Sequence, residues 1–328
     1  MLRTRFTEMF DLRYPVMSAP MVMHTGAPLA AAVSAAGGLG SFGGTNPWKQ
    51  PDWIKSEIAL LRATTDRPFA VGFITPLMDL TAAIYEAALS EHPPAVALSF
   101  ADPSRWVAEA HDAGAVVLCQ VQSYDDADVA VDAGADVLVA QGTEAGGHTG
   151  TLGMLPFLVG LVSRYPHIPV LAAGGIGDGR TLAVALLAGA EGAWMSTAFL
   201  ATREAVEVHD IHKRLIVESD GGDTVFTRSY DIVSGLPWPQ SIGNRVRRNR
   251  FTDQWTEREA ELRERRAEFV RPPDAVPFAS PPKPEWDPIL CGQSAGLVNE
   301  VRAAGDVVRA VGDEAEAILR SRPSQLYG

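Results

Sequence analysis

Short apolar runs alternate with segments of helical periodicity through the first two thirds of the chain. The runs lie at 15–18, 39–42, 69–74, 95–99, 115–121, 137–140, 169–173 and 192–195. Short runs of this kind, apolar throughout, read as strands buried on both faces. Segments at 28–36, 53–64, 80–90, 104–113, 127–133, 155–165 and 180–188 lie between them and read as helices. One junction recurs: a helix-like segment ends in Ala-Gly, and an apolar run follows. It occurs at Ala36-Gly37, Ala113-Gly114, Ala133-Gly134 and Ala188-Gly189. Glycine just past a helix end is the usual left-handed cap. Eight strand–helix alternations over roughly 200 residues predict a (β/α)8 TIM barrel. An open doubly wound sheet is the rival, because a sequence does not show closure. Its first turn, at 18–26, lacks the G-x-G-x-x-G of a dinucleotide-binding sheet.

The alternation fails from about Ala205. A charged stretch at 253–270 is expected to form one solvated helix. Residues 272–288 carry seven prolines, at 272, 273, 277, 281, 282, 284 and 288, and must be extended or looped. A surface tether and a lid over the barrel mouth both fit that segment. An amphipathic helix is expected at 303–320. The predicted organisation is a barrel core at 1–204, a helical and Pro-rich insertion at 205–290, and a C-terminal helical segment at 291–328 packing on the barrel.

Composition narrows the function. Apolar residues make up 46% of the 328 positions, enough for a large core. A formal net charge of −12 argues against a nucleic-acid surface, though backbone N–H groups can still bind an anion. Cys119 and Cys291 are the only cysteines, so neither a disulfide framework nor a Cys-x-x-Cys zinc site is expected. The N-terminus lacks a signal-peptide stretch, and no apolar run approaches ~18 residues. A cytoplasmic protein acting on a small molecule, with no metal, nucleic-acid or membrane partner, is the simplest expectation. A homodimer is open to it.

Binding residues of such barrels gather on the loops after the strands. After the seventh strand comes Ala173-Gly174-Gly175-Ile176-Gly177-Asp178, and after the eighth Ser196-Thr197. Glycine-rich backbone opening onto a helix is a phosphate cradle, to which two hydroxyls can add. The loop after the first strand, Ala19-Pro20-Met21, is small and uncharged and suits the flat face of an aromatic ring. The loop after the sixth reads Gly142-Thr143-Glu144-Ala145-Gly146-Gly147-His148-Thr149-Gly150. Glycine lets backbone approach a ligand closely, and a histidine there can move a proton near neutral pH. His148 is therefore the candidate catalyst, with Glu144 anchoring the loop backbone. His24 is open between lining the pocket and packing. His209 and His212 are expected to face solvent, and His92, His111 and His167 to be structural.

Together these motifs resemble the nitronate monooxygenase family, also called 2-nitropropane dioxygenases. The likeness runs from residues 15–21 through Glu144-Ala145-Gly146-Gly147-His148, Ala173-Gly174-Gly175-Ile176 and Ser196-Thr197-Ala198-Phe199-Leu200 to Gly292-Gln293-Ser294-Ala295-Gly296-Leu297. It implies FMN at the barrel mouth, with its phosphate on Gly174, Gly175, Ser196 and Thr197. The isoalloxazine would lie against Ala19, Pro20 and Met21. Gln120, Gln141, Gly146, Gly147 and Ala173 complete the implied cofactor contacts, and His148 matches the catalytic histidine. One departure stands out. Many members carry asparagine near the end of the third strand, where this chain has Gly72, which would change the flavin's surroundings or open space for substrate. The same motifs resemble flavin-dependent enoyl-[acyl carrier protein] reductases and NADH:quinone reductases of this fold. Oxidation of nitronates with O2, NAD(P)H-dependent flavin reduction, and simple binding of a phosphorylated ligand are thus the candidate functions.

Overall fold

The apolar runs become strands almost residue for residue. They are β1 (Val16–Ser18), β2 (Gly40–Gly43), β3 (Phe69–Ile74), β4 (Ala95–Ser99), β5 (Val116–Val121), β6 (Val137–Gln141), β8 (Val170–Ala173) and β9 (Gly192–Met195). A short extra strand, β7 (Gly147–Thr149), falls between β6 and β8. These elements come from a computed structural model that describes residues 2–269, 278 and 280–327. Apart from Val116 and Ile74 at strand ends, every residue of the eight long-range strands is buried, as parallel strands covered on both faces must be. Gly37 and Gly134 sit at φ +97° and +98°, the left-handed cap that the Ala-Gly junctions announce.

The eight strands pair in parallel in the order β1-β9-β8-β6-β5-β4-β3-β2. A parallel bridge from Met17 to Leu39 then brings the two ends together. Leu39 N donates to Val16 O at 2.9 Å, and Ser18 N to Leu39 O at 3.1 Å. The sheet is a barrel, and the open-sheet alternative falls.

Alternation along each strand divides the core. Met17, Ala70, Leu118, Val139, Leu171 and Trp194 join one apolar cluster inside the barrel. Their neighbours Val71, Val117, Leu138, Ala172 and Ala193 pack outward against the helices. Carried to the carboxyl ends, the same alternation turns Gln120 and Gln141 into the barrel mouth. A helix at Arg5–Met9, which the apolar pattern does not announce, closes the opposite end. Its Phe6 and the following Phe10, which ends it, belong to the interior cluster and meet edge to face at 5.5 Å. Thr4 caps this helix and donates its hydroxyl to Glu191 O at 2.6 Å, just before β9.

Beyond the barrel the structure corrects two expectations. The segment 205–290 is not only helical and Pro-rich. It contributes β10 (Thr224–Thr227) and β11 (Gly243–Arg247), which pair antiparallel with β7 in the order β10-β11-β7. The charged stretch 253–270 is not one helix either. It breaks into Arg250–Trp255, Glu259–Glu264 and a 3-10 turn at Arg266–Glu268. Trp255 explains the break: it is fully buried, and Arg258 and Arg265 lie 5.0 and 5.3 Å over its ring, so the chain wraps the indole. Pro272, Pro273 and Pro277 lie outside the described residues. Further along, Asn249 pins the chain by donating to Pro284 O at 3.1 Å and Asp287 O at 3.0 Å.

The final helix, Ala304–Tyr327, packs on helices Gly179–Leu187 and Ala27–Ala35. Gly179 permits a close crossing, and its N–H donates to Glu314 Oε2 at 2.9 Å. No helix among the described residues is long and apolar enough to cross a membrane. Burial pushes the Cys119 and Cys291 thiols up to about 12, so neither is a ready nucleophile.

Candidate active site

The His148 segment is a strand, not a free loop. In β7, His148 lies directly opposite Asn244 of β11. Side chains of opposed strand residues share a face. Asn244 Nδ2 accordingly comes within 3.0 Å of His148 Nε2. The third member is Asp231, on the short helix Ser229–Ser234. Its Oδ1 lies 2.8 Å from His148 Nε2 and accepts from Asn244 Nδ2 at 2.8 Å. Its Oδ2 is buried without a partner. Trp238 lies flat on the imidazole, with ring centroids 3.4 Å apart and planes 15° from parallel. Phe100, just past β4 and held at φ +81°, presents its ring edge-on to both His148 and Trp238. A bulky residue at positive φ carries backbone strain, which concentrates at functional sites.

The flanks of this segment are tied down. Glu144 takes the anchoring role: its two oxygens accept from Met154 N at 3.1 and 3.0 Å. Glu144 O accepts from Gln293 N at 2.9 Å. Gly146 is pressed against Cys291 and Gly292, where a Cβ would meet backbone at 2.4 Å. Gly147, at φ +75°, faces open space. Gln141 Nε2 donates to His148 O at 3.0 Å, and Gln122 Nε2 donates to Gln141 Oε1 at 2.9 Å. Gln120 Oε1 lies 3.5 Å from Gln122 Nε2, at the margin of a hydrogen bond. The barrel-mouth glutamines thus hold the histidine strand from below.

The glycine turn after β8 adjoins this strand. Gly142 N donates to Ala173 O at 2.8 Å. Gly174 and Gly175 sit at φ +94° and +72°. Among the described residues, the N–H groups of Gly175 and Ile176 have no acceptor in the protein. Ser196 follows β9. Thr197 is buried, and its hydroxyl accepts from Gly292 N at 2.9 Å. Ala19 N donates to Met195 O at 2.7 Å, setting residues 19–21 beside that strand end. The residues named from the sequence as cofactor contacts, and His148, therefore gather at the carboxyl ends of β1, β5, β6, β8 and β9.

Gly72 opens no space for substrate. A Cβ there would lie 2.2 Å from Cγ of Pro20, whose ring fills the place a side chain would take. The expected solvent-facing histidine pair is also corrected. His212 is buried, with Nε2 at 3.0 Å from Leu290 O, while His209 Nε2 meets Phe278 O at 3.2 Å. His212 shares its helix face with buried Ile216 one turn on, and that face turns inward. His24 is buried too, with its ring centroid 4.4 Å from that of Phe278 and 5.7 Å from that of His212. Burial holds its pKa down to about 4, so it is a neutral packing group near pH 7. His92 and His111 are structural, bonding Ala113 O and Asp136. Among the described residues no His, Cys, Asp and Glu cluster could hold a metal ion.

Asp231, Asn244, Trp238 and Phe100 escape sequence reasoning. Asp231 is 83 residues from His148, and nothing local distinguishes it from a solvated helix carboxylate. The one available hint is Trp238, a large aromatic between two prolines in a polar region.

A barrel with a glycine turn and a clamped histidine at its mouth can be compared with known proteins. A family model described as nitronate monooxygenase matches residues 3–237. Nitronate monooxygenase npaC of Metarhizium robertsii is 35% identical over 350 aligned positions, covering 93% of this chain and 92% of that protein. The solved structure of FabK from Thermotoga maritima superposes with a TM-score of 0.86 at 30% identity, covering 99% of this chain and all of that one. A nitroalkane oxidase from Streptomyces ansochromogenes superposes at 0.76 with 28% identity, over 97% of this chain and 99% of its own. The match spans the barrel and reaches His148, Asp231 and the glycine turn, so the chain belongs to the nitronate monooxygenase family.

Proposed function

We propose that this chain is an FMN-dependent nitronate monooxygenase that converts alkyl nitronates and O2 to carbonyl compounds and nitrite. The observation that carries this reading is the histidine held at the barrel mouth beside the Gly174-Gly175 turn. That turn fits a phosphate: the N–H groups of Gly175 and Ile176 are unclaimed, and no Cβ intrudes. Ser196 would add a hydroxyl and Ala19, Pro20 and Met21 an uncharged wall, while Gln120 and Gln141 line the floor. FMN bound there would supply an acceptor for the substrate's electrons and a donor to O2.

The chain's own residues bind, orient and move a proton. His148, at the barrel mouth beside the glycine turn, would orient the substrate and hold or move its proton. Trp238 and Phe100 form an aromatic wall against the imidazole, one flat on it and one edge-on. The direct test is nitrite release and oxygen uptake by the yellow holoenzyme with propionate 3-nitronate or an alkyl nitronate. Absence of both nitrite and oxygen uptake would sink the reading.

The likeness to FabK favours a second reading, an NAD(P)H-dependent flavin reductase acting on an enoyl thioester or a quinone. Rapid anaerobic bleaching of the flavin by NADH or NADPH would support it. A flavin that stays oxidised under either nicotinamide removes it.

A further inference from the structure

Three glutamines lie at the carboxyl ends of β5 and β6, and the one that the sequence does not single out joins the other two. Gln122 follows Val121, which pairs with Ala140, so it stands beside Gln141 across the ladder. It shares a face with Gln120, two residues back. All three side chains are buried. Gly150, at the end of the histidine segment, makes room for the Gln122 stem: a Cβ there would lie 2.8 Å from Gln122 Cβ.

The partners fix which end of each amide faces which way. His148 O can only accept, so the group 3.0 Å from it is the NH2 of Gln141. That turns Gln141 Oε1 to Gln122, whose Nε2 donates to it at 2.9 Å. The same Nε2 lies 3.5 Å from Gln120 Oε1, at the outer limit of a hydrogen bond. Gln122 thus draws both carbonyls toward itself. The second N–H of Gln141 and both N–H groups of Gln120 find no acceptor among the described residues. Gln120 Nε2 is unpaired there yet not enclosed, so it opens on the barrel mouth.

Donors so placed have a defined effect on a flavin. The ring gains negative charge when it takes electrons, and N–H dipoles aimed at it stabilise that charge. Reversed amides would set carbonyl oxygens against the same ring and oppose its reduction. Resting on the FMN site proposed above, and on no particular substrate, we infer that Gln122 is a positioning residue that keeps Gln120 and Gln141 as donors to the flavin and so raises its midpoint potential. Gln122 acts through the two carbonyls it holds. A higher potential makes the flavin a readier acceptor of substrate electrons, which the proposed oxidation needs.

The test is the midpoint potential of the bound FMN, read by anaerobic titration against a reference dye. Q122M keeps the unbranched length of the side chain and loses its N–H donors. It should shift the redox equilibrium toward oxidised flavin by about tenfold, or about 30 mV for a two-electron couple, because hydrogen bonds to a charged acceptor exceed those to a neutral one. In a Q120M/Q141M background the same change should move the equilibrium by less than about twofold, since the amides through which Gln122 acts are gone. A potential that ignores Q122M, or an equal fall in both backgrounds, would overturn the inference and leave the FMN site standing. Q122L repeats the comparison if Q122M does not fold. A wild type that takes up no FMN overturns this inference together with the cofactor reading.

Discussion

Gly72 has no side chain because Pro20 stands where one would begin, 2.2 Å from the position of a Cβ. The obstacle is a proline ring in a short turn, which cannot swing aside as a lysine would. Gly72→Ala should therefore cost about 1–3 kcal/mol by overpacking, read as a lower urea midpoint, and should loosen the flavin by displacing the loop after β1. An unchanged midpoint would mean that Pro20 yields without strain. His148 sits at the other extreme, where shape matters less than proton chemistry. On the proposed mechanism, His148→Asn keeps a donor for Asp231 and loses the group that moves the proton. Turnover of a nitroalkane should fall by about 10²-fold or more, with the yellow colour retained. Full activity in that variant would remove His148 from the mechanism.

At the scale of elements, the two ends of the barrel do different work. The carboxyl ends of the strands carry the glycine turn and the histidine strand, and the amino end is stoppered by Arg5–Met9. Phe6 is fully buried in the interior cluster, far along the strands from His148. Phe6→Ala should cost about 3–5 kcal/mol of stability by leaving a cavity, with KM and turnover per bound flavin unchanged. A change in KM would show that the stopper shapes the mouth. The same contrast decides which elements the sequence announces. Barrel strands and their Ala-Gly junctions are legible because burial and backbone dihedrals act over a few residues. The Arg5–Met9 helix is too short to show a period, and β10 and β11 gain their meaning only by pairing with β7. The charged stretch at 253–270 reads as one helix because nothing local says that Trp255 must be wrapped.

For the whole molecule, the buried histidines couple folding to pH. His24 and His212 meet between the loop after β1 and helix Asp210–Val217, and burial lowers both pKa values, that of His24 to about 4. In the unfolded chain each titrates near 6.5, so acid protonates the unfolded state first. Stability is complete above about pH 6.5 and falls as pH drops toward 4. His24 alone accounts for a loss of about 3 kcal/mol across that window. Urea midpoints between pH 7 and 4.5 should show the decline, and His24→Gln should flatten it. A midpoint flat across that range in the wild type would mean that the two rings are not buried together.

The eight-strand alternation, the glycine caps, the glycine turn after the seventh strand and the histidine after the sixth are determined by the sequence itself. Each depends on residues a few positions apart, where dihedral preference and burial leave their mark. Closure through Met17 and Leu39, the Pro20 ring in the space at Gly72, and the carboxylate of Asp231 on His148 were decided only by the tertiary structure. Those contacts join residues 22, 52 and 83 positions apart. No periodicity encodes a distance across the fold, and only packing of the whole barrel and its insertion brings such pairs together.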